Sequence, residues 1–68
     1  MTTYTAHSID GDVSLTLTEL ANPGTDWSDE GLIPVTDPDE NVFAWIDPIN
    51  GMAEGETPEA DRLLGSAP

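Results

Sequence analysis

Cysteine is missing from this chain of 68 residues, which excludes disulfide staples and thiolate zinc sites. Lysine is missing too, and Arg62 is the lone permanent cation, so no basic patch can form to grip a phosphate backbone. Direct contact with nucleic acid is therefore not expected. Aromatic residues number four, and no stretch approaches the run of about eighteen apolar residues that marks a membrane span. The opening Met1-Thr2-Thr3-Tyr4-Thr5 lacks the basic-then-apolar layout of a signal peptide, so an intracellular location is expected. His7 is the only histidine. A lone imidazole without cysteine or a second histidine is more often a sheet-surface residue than a ligand or a base.

What is present in excess is acid. Eight Asp and six Glu face Arg62, for a net charge of −13. A globule of this length is about 28 Å across, so the charge amounts to roughly one per 2 Å, close to the one per ~1.7 Å of double-stranded DNA. The chain is one domain at most, burying only about 60% of its unfolded surface. A core that small supplies roughly 3–5 kcal/mol, against which the self-repulsion works. Neutralisation by a cationic partner, bound cations or salt would offset it, and a homodimer is compatible with so thin a core.

The pattern predicts a small α+β fold, mostly β: an antiparallel sheet of three to four strands in two hairpins, with one short C-terminal helix. Tyr4–Ile9 and Val13–Leu20 read as strands around an Asp10-Gly11 type I′ turn, with Val13, Leu15 and Leu17 on one face. Residues 21–41 read as a long acidic loop with at most a short extended piece at Leu32-Ile33-Pro34-Val35. Val42–Ile46 is apolar on both faces and reads as the central strand, with Trp45 in the core and an Asn50-Gly51 turn leading to Met52-Ala53-Glu54. Thr57 as N-cap, Pro58 at the first helical position and Gly65 at the end delimit a helix with Ala60, Leu63 and Leu64 inward.

Candidate functional residues follow from the charge. Asp26, Asp29, Glu30, Asp37, Asp39 and Glu40 crowd one segment without a base among them. Pairs two apart on extended chain, Asp37/Asp39 and Glu54/Glu56, would point the same way at about 6.6–6.8 Å, near the spacing of successive phosphates. Trp27, set between Asp26 and Asp29, is either an interface anchor or a ring folded back over the core. The segment Asp26–Asp37 places oxygen ligands and Gly31 at positions resembling a calcium loop, but Asp37 stands where a bidentate Glu is usual and the nearby prolines forbid flanking helices. A cation site there is the lesser reading, and no metal or cofactor is expected. No nucleophile turn or phosphate-cradling loop occurs, so the chain is not expected to be an enzyme.

Small size, extreme acidity, no cysteine and a β-rich layout resemble the phage-encoded inhibitors that imitate DNA, anti-CRISPR proteins in particular. The resemblance covers the whole chain in character and rests on no motif. It implies a non-enzymatic inhibitor in the cytoplasm of a bacterial host, blocking DNA access to a CRISPR surveillance complex, with a multi-subunit type I complex the expected target. The competing expectation is a salt-adapted domain of a salt-loving cell, where acids only hydrate the surface.

Overall fold

Alternation of apolar with polar residues builds the first hairpin. In the computed structural model, which describes residues 2–67, β1 (Tyr4–Ser8) pairs antiparallel with β2 (Gly11–Leu15), Tyr4 opposite Leu15 and Ser8 opposite Gly11. The connecting residues are Ile9 and Asp10, not Asp10 and Gly11. Neither has positive φ, which a type I′ turn requires of both, and the left-handed step falls on Gly11 at φ 120°.

The second strand is shorter than the alternation suggests. Thr16 Oγ1 accepts from the Glu19 N–H at 3.2 Å, and Glu19 Oε1 accepts from the Thr16 N–H at 2.8 Å. This reciprocal capping box opens α1 (Leu17–Ala21), removing Leu17 from the expected strand and sending Leu20 fully into the core.

The expected loop over 21–41 is interrupted by β3 (Ile33–Thr36), which is the middle strand of a five-stranded antiparallel sheet ordered β2-β1-β3-β4-β5. β4 (Val42–Asp47) is interior but not central, and β5 (Met52–Gly55) forms the edge. Pro34 is tolerated in a middle strand because the β1·β3 ladder stops at Ala6/Val35, one residue before the proline would leave a donor missing. A register shift between Val35 and Thr36 lets Phe43 stack on Tyr4, with ring centroids 4.3 Å apart.

Two tight connections use acids as caps. In the β3–β4 turn the Asp37 carboxylate accepts from the N–H groups of Asp39 and Asn41, while Glu40 takes a left-handed φ of 67°. The β4–β5 connection runs over Pro48-Ile49-Asn50-Gly51, longer than a two-residue turn, and closes with Gly51 N–H donating to the Asp47 carbonyl at 2.8 Å. A Cβ on Gly51, whose φ is 69°, would meet Thr25 Cγ2 at 2.9 Å and the Gly24 backbone at 3.1 Å, so the 22–32 segment is seated against this turn.

α2 (Pro58–Ser66) begins as expected, Thr57 Oγ1 accepting from the Ala60 N–H. Gly65 lies within the helix rather than closing it, and Leu63 is 48% exposed, so only Ala60 and Leu64 reach the core. Both helices pack on the same sheet face. Between that face and the helices lie the largest fully buried side chains, Ile33, Val35 and Ile46 of the sheet and Leu20 of α1. Among the described residues, no helix is long and apolar enough to cross a membrane.

Candidate binding face

The helices leave the other sheet face open. Strand registers align Asp12 with His7 and, on the other side, Pro34 with Trp45 and Trp45 with Glu54; extending the Ala6/Val35 register by one residue sets His7 beside Pro34 and joins these into one lateral row. At ~4.8 Å per strand, the row is about 19 Å wide, with a carboxylate at either end. Trp45, expected in the core, stands near its middle because the alternation that buries Ala44 and Ile46 turns the intervening side chain outward.

Hydrogen bonds fix these side chains. Trp45 Nε1–H donates to Glu56 Oε2, which holds the indole in place on the open face. His7 bonds Asp12 Oδ1 through Nδ1 at 3.0 Å and Thr36 Oγ1 through Nε2 at 2.8 Å. Leu32, 61% exposed, and Met52, 65% exposed, add apolar surface beside Trp45. The Asp47 carboxylate is held below its usual range chiefly by the Asn50 side-chain amide at 2.6 Å and the Asn50 N–H, with the Ile49 N–H adding to them. Glu19 is lowered by the N–H and hydroxyl of Thr16. Both displaced acids are caps, made harder to protonate, the opposite of what a general acid needs.

The residues singled out by sequence fall into separate groups. Asp26, Trp27, Asp29 and Glu30 lie in the loop before β3, beside the β1–β2 and β4–β5 turns; Asp37, Asp39 and Glu40 form the turn after it. β3 separates the groups by roughly 13 Å, at opposite ends of the sheet. Asp37 and Asp39 are not an extended pair, since the Asp39 N–H bonds the Asp37 carboxylate within the turn. Asp26 and Asp37, the first and last positions of the calcium-like pattern, are likewise divided by β3. Among the described residues, no group of three candidate ligands converges as a metal site would require.

Trp27 folds back. It packs half-buried against the core, with Nε1–H donating to the Pro23 carbonyl at 3.3 Å. Asp29 is likewise inward-directed, accepting from the Ser8 hydroxyl at 2.8 Å and the Ile9 N–H at 3.0 Å. Glu54 and Glu56 stay together on Trp45's side. The residues that sequence reading passed over are Trp45, Asp12, Leu32 and Met52. The sequence offered no signal for Trp45, because Val42–Ile46 is apolar throughout and only the strand pairing decides which of its side chains face outward.

Comparison with protein-family models, with curated proteins and with solved structures finds no match.

Proposed function

We propose that this chain is a non-catalytic binding protein that takes the place of nucleic acid on a basic surface of another protein. The observation that carries the reading is the open sheet face: an indole fixed amid exposed apolar side chains, with Glu54 and Glu56 beside it, Asp12 at the far edge of the sheet, and no lysine or arginine along its rows. An aromatic centre with a charged rim is how interface anchors are commonly arranged. The net charge of −13 adds long-range attraction to a cationic surface from any direction of approach. Asp26, Glu30, Asp39 and Glu40, exposed at the two sheet ends, extend the phosphate-like charge beyond the face. Among possible targets, a DNA-binding channel of a CRISPR surveillance complex is the one implied by the resemblance to anti-CRISPR inhibitors.

The distribution of those same acids over both sheet ends favours a second reading, a salt-adapted domain whose charge serves hydration alone. A competition assay separates the two. The immobilised protein is offered nuclease-treated bacterial lysate and a purified type I surveillance complex, and bound proteins are tested for release of labelled DNA. The proposal expects capture of nucleic-acid-binding proteins, displacement of their DNA, and loss of both at high salt. Absence of any DNA displacement from such proteins would leave the salt-adapted reading in possession.

A further inference from the structure

Beside Trp45, where the open face meets the β5 edge, lies a shallow depression of about 370 Å³, bordered by Leu32, Asp47, Met52 and Glu54 and, around the edge, by Ala53 and Asp61 of α2. That volume equals the share of about a dozen liquid waters, enough for one long side chain. We infer that this depression receives an arginine side chain of the protein partner, an inference that rests on the open face being the binding face. Three properties select arginine.

The first is the spread of the acids. Asp47 ends β4, Glu54 lies in β5 and Asp61 lies in α2, so the carboxylates border the depression from separate elements instead of converging on a point. A planar cation with five N–H donors can address such a rim, whereas a compact ammonium meets one acid at a time. The second is the indole. Its N–H is tied to Glu56, so the ring is held as a platform on which a guanidinium can stack. The third is the wall of Leu32 and Met52, against which an arginine's methylene stem can lie.

The acids differ in what they have left to offer. Asp47 already accepts from Ile49 and Asn50 with its two oxygens, and it contributes fixed negative charge. Asp61 Oδ1 accepts from the Gly55 N–H at 2.9 Å, and its Oδ2 has no hydrogen-bonded partner among the described residues. Glu54 is exposed and has no hydrogen-bonded partner among the described residues, which makes it the principal acceptor. Its loss should cost binding without cost to the fold.

The test uses the full chain, isotope-labelled, titrated at about 0.15 M salt, where the Debye length is about 8 Å, with a short end-blocked peptide containing one arginine, and with its lysine and citrulline counterparts. The Trp45 indole N–H resonance and the Glu54 amide report the site. The arginine peptide should shift both saturably and bind at least about threefold tighter than the lysine peptide, with no saturable shift from citrulline. Glu54→Gln should weaken the arginine peptide about three- to tenfold. Asp10→Asn removes the same charge from the distant β1–β2 turn and should change affinity less than about twofold. Equal responses to arginine and lysine, or equal losses in the two variants, overturn the arginine site. If that happens while DNA displacement persists, the binding-face proposal stands without it; if the peptide results hold but no DNA is displaced, the site stands and the nucleic-acid competitor does not.

Discussion

At the scale of single residues, much of the acid is structural. Asp12, Glu19, Asp29, Asp37, Asp47, Glu56 and Asp61, seven of the fourteen acids, accept hydrogen bonds from backbone N–H groups or from side chains. Composition alone therefore overstates the charge reserved for a partner. Reversing Asp37 would disturb the β3–β4 turn it caps, so Asp39 and Glu40 are the cleaner positions for charge reversal there. Asp47 yields a pH prediction. Its folded pKa lies below the unfolded value of about 3.9, so its stabilisation is full above that value and is lost as pH falls through the folded pKa. Asp47→Asn should accordingly be less stable than wild type at neutral pH, and the gap should close as pH drops below about 4. Paired urea titrations across that range measure it, and a gap that persists at low pH would mean the charge is irrelevant to the cap.

At the scale of elements, the seam between β5 and α2 is the most tightly constrained contact. A Cβ on Gly55 would lie 2.2 Å from the Asp61 backbone nitrogen and 2.7 Å from the Ala60 carbonyl carbon. No side-chain rotation relieves a clash with helix backbone. Gly55→Ala should cost about 3 kcal/mol, most of what so small a core supplies. Gly65, by contrast, meets nothing within 4 Å and sits inside α2, so Gly65→Ala should stabilise by about 0.5–1 kcal/mol. Chemical denaturation of the two variants checks both signs. The helix itself was legible because Thr57-Pro58-Glu59 is a local start signal satisfied by local chemistry. Thr16 and Glu19 carried an equally local signal, masked by the alternation through Val13, Leu15 and Leu17. β3 was hidden for another reason. The prolines and acids around it read as loop with at most a short extended piece at Leu32–Val35, and only pairing on both sides makes Ile33–Thr36 a full strand of the sheet.

For the whole molecule, charge acts on folding and on binding with opposite sign. Self-repulsion extends over a Debye length, about 8 Å at physiological salt and 3 Å at 1 M, across a body whose Cα radius of gyration is 10.6 Å. The melting temperature should rise steadily as sodium chloride increases, while association with a basic partner weakens. Thermal scans over a salt series check the first half. A chain folded at physiological salt fits the binding protein, whereas one that unfolds on dilution from molar salt fits the salt-adapted domain.

The sequence by itself determined the class of fold, the C-terminal helix and the anionic character, because these depend on composition and on interactions a few residues apart. Which tryptophan is presented, which acids are committed to caps, and how the acids of 26–40 divide between the ends of the sheet were decided only by tertiary structure. The reason is that a side chain's facing depends on strand pairing, and a one-residue bulge or one additional strand reassigns it without altering any local signal.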